Sequence, residues 1–192
     1  MGNPVKSGIT VEELIQANIH HRAEVINGAL TFVDVPEDIL HSFLSGNVYS
    51  ILHPFTDKHQ LGDVLTGGLV YLLDSNETGI LNARIPDLSF LRKGRLSATI
   101  DLSVPFSGSP NLAIEVFSPN ESNDEIKGKV RDLLTYGTEE VWVLNPSEKK
   151  VYQYRRDNLA TVRIYSDDNQ LECEKLFPGL VVTVDQFFAL AE

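Results

Sequence analysis

The feature that most constrains the fold of this chain is a strand–turn–helix–strand pattern in residues 111–146. Residues 112–117 are apolar except for Glu115, and a short apolar run bounded by turn residues is typical of a buried strand. In the helix that follows, apolar side chains recur at helical spacing, at Ile126, Val130, Leu133 and Leu134. A second apolar run then begins after Gly137, a residue suited to end a helix. Two buried strands joined by a helix favour a parallel or mixed sheet.

The N-terminal part predicts a helix, a hairpin and a second helix. Thr10 and Glu13 have the spacing of a capping box, so a short helix to about Ala17 is expected. Asn27-Gly28 lies between two apolar runs and favours a tight β-hairpin. A longer helix is predicted from Pro36 to about Phe55, because apolar residues recur there with a period near 3.6.

Most of the remaining segments predict strands. They are residues 67–73, 82–91, 151–154, 161–165 and 171–177. Residues 92–110 are polar and contain glycine and proline, which indicates a surface loop. A short final helix over residues 186–191, with Asp185 as its N-cap, completes the prediction.

Composition limits the class of protein. The 192 residues, 42% of them hydrophobic, suit one compact domain over residues 1–192. A single cysteine excludes an intramolecular disulfide and, with no signal peptide or membrane-spanning run, predicts a cytoplasmic protein without a membrane partner. The net charge of −11 gives no general support to nucleic-acid binding. A nucleic-acid site would therefore depend on local basic clusters or a bound metal.

Strand alternation brings two acids together in the prediction. Asp87 shares a strand face with Ile85, and Glu115 shares one with Ala113. If their two strands are neighbours, both carboxylates point into the same space and repel each other unless a cation lies between them. Mg²⁺ prefers such oxygen ligands. Lys129, fourteen residues after Glu115, lies about two turns into the following segment and could contact a phosphate oxygen or polarise a water.

The order of these motifs resembles the Uma2 family of restriction-endonuclease-like proteins, which belong to the PD-(D/E)XK nuclease superfamily. The matching stretches cover most of the chain: residues 24–30, His41, Gly46-Asn47, Pro86-Asp87, residues 115–119, Asp124, Lys129, Gly137 and residues 140–146. The resemblance implies a mixed α/β (α+β) fold, with a restriction-endonuclease-like central sheet flanked by helices and additional antiparallel strands.

The resemblance also implies a chemistry. Asp87 and Glu115 would bind Mg²⁺ or Mn²⁺ and, with Lys129, would form the catalytic site of an endonuclease that acts on DNA. The superfamily's lysine normally follows the second acid by two residues, where this chain has Phe117; the Uma2 pattern places it on the next helix, at Lys129. Asn111 stands where many relatives carry an aspartate. Homodimerisation is expected from the need to cut two strands.

Several alternatives remain open at the sequence level. Lys127 competes with Lys129 for the lysine role, Glu24 is either a third acid near the metal or an edge-strand charge, and His41 is interpreted as a packed or hydrogen-bonded histidine. The protein could instead be a weak or inactive nuclease fold that acts as an interaction module, or a hydrolase of small phosphorylated substrates with a narrow pocket. A basic rim around the two acids would favour nucleic acid; its candidates are Arg84, Arg92, Lys93, Lys127 and Arg131.

Overall fold

The computed structural model describes residues 8–33, 38–96, 99–118 and 121–190. Within these residues the chain forms four helices, α1 (Val11–Ala17), α2 (Ile39–Lys58), α3 (Asn123–Thr135) and α4 (Val184–Phe188). The strands of the same residues are β1 (Ala23–Ile26), β2 (Ala29–Phe32), β3 (Gly62–Thr66), β4 (Tyr71–Asn76), β5 (Gly79–Arg84), β6 (Leu88–Arg92), β7 (Phe106–Ser107), β8 (Leu112–Val116), β9 (Glu140–Asn145), β10 (Lys150–Arg155) and β11 (Val162–Ser166). No helix in this described part of the chain has the length and apolarity needed to span a membrane.

The strands form two mixed sheets, and this confirms the predicted mixed α+β class. The first sheet has the order β2-β1-β5-β4-β7, and the second has the order β11-β10-β9-β8-β6-β3. Strands β4 and β7 are parallel in the first sheet, and β8 and β9 are parallel in the second. The strand–helix–strand unit of the sequence is therefore β8–α3–β9, as the prediction of a parallel or mixed sheet required.

The second sheet separates two hydrophobic cores. On one face Ile114 and Trp142 pack in a cluster with Val48 of α2 and Phe187 of α4. On the other face Ala113 and neighbouring strand residues pack against α3, whose buried residues are Ile126, Val130, Leu133 and Leu134. The alternation of β8 and the inner stripe of α3 are both confirmed. Because all five residues of β8 are buried, each of its polar side chains must find a partner inside the protein.

Local signals at the N-terminus formed the expected elements. The hydroxyl of Thr10 accepts from the amide of Glu13 at 3.1 Å, and the Glu13 carboxylate accepts from the amide of Thr10 at 2.8 Å. Asn27 and Gly28 both have positive φ angles, 50° and 77°, and join the antiparallel strands β1 and β2. Helix α2 has Asp38 as its N-cap, whereas the predicted start at Pro36 lies outside the described residues.

The predicted strand over residues 82–91 is wrong, because this segment supplies β5 to the first sheet and β6 to the second. The break falls at Pro86, which has no amide hydrogen for a ladder and restricts the residue before it. The residues 85–87 that connect β5 to β6 are called the inter-sheet link below. Asp87, at its end, is thereby placed where the two sheets meet.

Other predicted boundaries also changed. Strand β3 was not predicted, the predicted loop over residues 92–110 contains the short strand β7, and the strand over 67–73 begins later, as β4. The predicted strand over residues 171–177 is wrong: residues 174–176 form a turn, and the amides of Leu176 and Phe177 both donate to the carbonyl of Cys173. The N-cap of α4 is Thr183, two residues before the predicted cap, and the predicted helix end at position 191 lies outside the described residues.

Candidate active site

The inter-sheet link brings Asp87 beside Glu115. Strands β6 and β8 are antiparallel neighbours with Leu88 opposite Ile114, so the register carried one residue further places Asp87 opposite Glu115. The amide of Val116 donates to Oδ2 of Asp87 at 2.8 Å, which attaches the link to the end of β8. The two acids that strand alternation predicts to share a space therefore line the same cavity.

Asp87 is held by two basic side chains from the N-terminal third of the chain. Nη2 of Arg22 lies 3.0 Å from Oδ1, and Nε2 of His41 lies 3.1 Å from Oδ2. Burial raises the pKa of Asp87, but the hydrogen bond from His41 and the charges of Lys129 and Arg22 outweigh it and leave that pKa well below its usual range. Asp87 is therefore ionised at neutral pH.

Glu115 has one satisfied oxygen and one unsatisfied oxygen. Nζ of Lys129 donates to Oε2 at 2.7 Å, whereas Oε1 is buried and has no hydrogen-bond partner among the described residues. Burial raises the pKa of Glu115 to about 8, with Lys129 opposing the rise and Asp87 adding to it. The structure thus brings together all three predicted site residues, Asp87, Glu115 and Lys129.

Lys129 lies between two glutamates. Its Nζ is 3.6 Å from Oε1 of Glu24 in addition to its contact with Glu115, and its side chain is only 11% exposed. Burial lowers the pKa of Lys129, but the charges of Glu115, Glu24 and Asp87 outweigh burial and leave that pKa raised. The ammonium group is therefore charged at neutral pH, although it is almost completely enclosed.

Glu24 is the site residue whose place the sequence left undecided. It lies on β1, between β2 and β5, and is only 1% exposed, so its interpretation as an edge-strand charge is wrong. Its Oε1 accepts from the amide of Ile85 at 2.8 Å, and its Oε2 accepts from Nη1 of Arg84 at 2.7 Å. Burial raises the pKa of Glu24, but Lys129 and Arg84 outweigh burial and leave that pKa lowered.

A sequence signal for Glu24 existed. It lies in a short run between the apolar residues Ala23 and Val25, which is the same pattern that singled out Glu115.

The structure also places the two other residues that the sequence left undecided, His41 and Lys127. His41 is hydrogen-bonded as interpreted, with Asp87 as its partner. Lys127 is exposed and does not line the cavity, so it is separated from the two acids.

The acids, Lys129, Arg22 and His41 line a cavity of about 580 Å³. Only two members of the proposed basic rim reach it, Arg84 and Arg131, while Arg92, Lys93 and Lys127 do not. Acidic side chains also line it: Asp38, Glu121, Asp124 and Glu125. The cavity therefore carries mixed charge: buried acids and bases line it together, and Asp38, Asp124 and Glu125 of its lining are exposed.

The donor atoms around the cavity suit a hard divalent cation. Among the residues that the structure describes, Oε1 of Glu115 is a buried oxygen without a partner, and Asp87 uses three of the roughly four acceptor positions of a carboxylate. Among the described residues no group of three or more His, Cys, Asp or Glu side chains could hold a metal by itself. This pattern fits Mg²⁺ better than zinc, because Mg²⁺ often takes one or two carboxylates and completes its shell with water and substrate phosphate.

Comparisons with known proteins identify the family and the fold of this chain. The model of the Uma2 family, described as "Putative restriction endonuclease", matches residues 11–185. The structure is similar to the crystal structure of "a putative nuclease belonging to DUF820" from Anabaena variabilis ATCC 29413, with a TM-score of 0.74 over 94% of this chain and 97% of that one. Sequence identity to that protein is 17%, so the similarity is one of fold. A search of curated proteins gave no significant match.

Proposed function

Because the chain belongs to the Uma2 family, we propose that it is a metal-dependent endonuclease that hydrolyses phosphodiester bonds in DNA. The observation that carries the proposal is the state of Glu115. One of its oxygens binds a buried ammonium group, and the other is buried without a partner beside a second, ionised carboxylate. An arrangement of this kind costs stability unless a ligand completes it, and costly buried charges cluster at functional sites.

Asp87 and Glu115 are the proposed ligands of Mg²⁺ or Mn²⁺. Oε1 of Glu115 offers the unused oxygen, while Oε2 stays on Lys129. When bound, the cation supplies Lewis-acid stabilisation of charge on the scissile phosphate and makes a nearby water more acidic. Arg22 and His41 hold Asp87 in one orientation through separate oxygens, so this ligand needs little rearrangement.

Lys129 is the third proposed catalytic residue. The glutamates around it raise its pKa, so at neutral pH the amine is protonated and can donate hydrogen bonds but cannot accept a proton. This favours a role in stabilising negative charge on the phosphate over a role as general base. Its enclosed position strengthens that interaction, because charges attract more strongly where water is excluded.

A second candidate function is an interaction module built on an inactive nuclease fold. The exposed acids of the cavity lining, Asp38, Asp124 and Glu125, favour it, because they repel a polyanion. Arg131 is the exposed basic residue of the same lining. The two functions differ in one respect that can be measured. The endonuclease needs a divalent cation at Glu115 to cut DNA, whereas the interaction module needs no cutting at all.

The deciding experiment titrates Mg²⁺ and Mn²⁺ calorimetrically into the wild type and the Glu115→Gln variant, with plasmid nicking measured on the same samples. We expect metal binding and metal-dependent nicking in the wild type only. The matched control is Glu140→Gln, which changes another buried glutamate outside the cavity and should behave as the wild type. Binding without nicking would point to a small phosphorylated substrate. Neither binding nor nicking would leave the interaction module.

We also propose that the protein acts on duplex DNA as a homodimer, because each subunit has one site and each site would cut one of the two strands. Sedimentation equilibrium with and without a DNA duplex measures the assembly directly. A monomer under both conditions, combined with cleavage of only one strand, would contradict the dimer and would indicate a monomeric nickase.

A further inference from the structure

We propose that Arg84 is a positioning residue of this site: it fixes Glu24, and through Glu24 it fixes the ammonium group of Lys129. The inference rests on the proposed function, which it deepens. Arg84 lines the cavity, and an arginine beside a phosphodiesterase site would ordinarily be assigned to the substrate phosphate. The contacts of its guanidinium group lead to a different role.

The guanidinium group of Arg84 is occupied by protein carboxylates. Its Nη1 donates to Oε2 of Glu24 at 2.7 Å, and its Nε and Nη2 both donate to Oδ2 of Asp132. The Arg84 side chain is only 6% exposed. All three nitrogens therefore bind two acids of the protein, and a phosphate could bind Arg84 only by displacing one of them.

Helix α3 contacts the sheets through a polar stripe that contains the proposed catalytic lysine. Lys129, Asp132 and Tyr136 follow one another at spacings of three and four residues, which places them on one side of α3 and its C-terminal cap. Asp132 binds Arg84, and the hydroxyl of Tyr136 accepts from Asn82 at 2.9 Å. Asn82 and Arg84 are two residues apart on β5, so their side chains lie on the same face of the strand. That face binds Asp132 and Tyr136 and so fixes the position of α3 along β5.

Glu24 lies between Arg84 and Lys129 and contacts both. One oxygen of Glu24 is bound by Arg84, and the other is bound by the Ile85 amide and lies 3.6 Å from Nζ of Lys129. Lysine has a flexible four-carbon chain, so its ammonium group keeps a fixed position only if its partners are fixed. Loss of the Arg84 clamp would let Glu24 and the ammonium shift, and misplacement by about 1 Å can reduce a rate about a hundredfold.

The test replaces Arg84 by lysine, which keeps the charge but cannot bridge two carboxylates in the same way. We expect kcat for plasmid nicking to fall about ten- to a hundredfold while KM for DNA changes less than about twofold. In a Lys129→Ala background the Arg84→Lys change should cause no further loss, because its effect passes through that lysine. The matched control is Arg92→Lys, since Arg92 also binds a carboxylate with two nitrogens, that of Glu139, but lies outside the cavity.

Three outcomes of this experiment would contradict the positioning role of Arg84. A rise in KM with unchanged kcat would make Arg84 a phosphate ligand, and losses that add in the double variant would separate it from Lys129. An equal loss of kcat in Arg92→Lys would reduce the effect to general destabilisation. Each of these outcomes overturns the positioning role.

A second measurement decides the inference even if the wild type does not cut DNA, in which case the proposed function fails by itself. Urea unfolding of the metal-free wild type, Arg84→Lys, Lys129→Ala and the double variant gives the energetic coupling between the two positions. We expect the double variant to lose less in urea midpoint than the sum of the single losses. Additive losses would show that Arg84 and Lys129 are independent and would overturn the proposal.

Discussion

Two buried glutamates on neighbouring parallel strands differ in what surrounds their carboxylates. Glu115 lies near the end of β8 and Glu140 at the start of β9, and they are 2% and 1% exposed. Burial raises the pKa of both carboxyls, and within the described part of the chain each has one oxygen without a hydrogen bond. The register pairs Leu112 with Glu140 and Glu115 with Val143, so the two glutamates lie on opposite faces of the sheet.

Their partners differ. Oε2 of Glu140 accepts from the indole of Trp142 at 3.0 Å and from the amide of Gln153 at 2.8 Å, and the glutamate lies outside the cavity. Glu115 instead depends on the charged amine of Lys129 and lines the cavity beside a second acid. Burial of an acid is therefore a weak sign of function. Oε1 of Glu140 also lies 3.7 Å from Nε of Arg155, so a nearby cation is a weak sign too. A second acid and open space next to the carboxylate are the stronger signs.

The largest expected difference between the two glutamates is in catalysis. Glu115→Gln should reduce metal-dependent plasmid nicking by at least about a thousandfold, because a neutral amide binds Mg²⁺ poorly and the cation provides much of the charge stabilisation. Glu140→Gln should stay within about threefold of the wild type. Initial nicking rates at saturating Mg²⁺ measure both. Equal losses in the two variants would contradict the distinction.

The second difference is in stability, and it runs in the opposite direction. Glu140→Ala should lower the free energy of unfolding by about 2–4 kcal/mol, since it leaves the indole donor of Trp142 and one of the two amide hydrogens of Gln153 without their acceptor, while Gln153 keeps the carbonyl of Glu172. Glu115→Ala should lower it less, because Lys129 keeps Glu24 as a partner. Urea denaturation in EDTA at neutral pH gives both values, and a larger loss for Glu115→Ala would reverse the comparison.

The third difference is in the dependence of stability and metal binding on pH. Glu115 binds its proton more tightly in the folded chain, with a pKa of about 8 against 4.5 for the free group, so its stabilising contribution is lost as the pH rises through this window. Mg²⁺ requires the ionised form. Its affinity should therefore rise about tenfold per pH unit and level off near pH 8.

Calorimetric titrations between pH 6 and about pH 9 would test this linkage, with Glu115→Gln and Glu140→Gln as the paired variants. The pH dependence of Mg²⁺ affinity should persist in Glu140→Gln. A wild-type affinity that does not change with pH would mean that Glu115 is already ionised before the metal binds.

The smallest effect is expected at the lysine that the structure separates from the site. Lys127→Ala should change the nicking rate by less than about twofold and the free energy of unfolding by less than about 0.5 kcal/mol, because its side chain is exposed. Lys129→Ala is the matched change two residues later on α3 and should greatly reduce nicking. Comparable losses in the two variants would remove the basis for choosing Lys129.

Local patterns in the sequence predicted much of this architecture. The inner stripe of α3, the capping box at Thr10 and the Asn27-Gly28 hairpin are set by residues close in sequence, and all three formed. The proximity of Asp87 to Glu115 followed from strand alternation once their strands were assumed to be neighbours. These features need little knowledge of distant contacts.

Features that depend on pairing between distant segments could not be predicted in this way. Glu24 enters the site because β1 pairs with β5, which brings Val25 opposite Ala83. The division of residues 82–91 between two sheets was missed because both halves are apolar and only Pro86 marks the break. Residues 171–177 have the composition of a strand, but their buried side chains contribute to the core from irregular backbone and a turn.

Because of the inter-sheet link, the geometry of the cavity depends on the position of one sheet relative to the other. Arg22 and Glu24 come from the region of the first sheet, Glu115 comes from the second, and Asp87 lies between them. A small slip of one sheet would open several of these contacts at once, and it would also disturb the cluster in which Tyr71 and Phe106 of the first sheet pack against Leu91 of the second. Substitutions in the hydrophobic cluster of the first sheet, as at Leu14, are therefore expected to reduce nicking by more than the loss of folded protein alone accounts for.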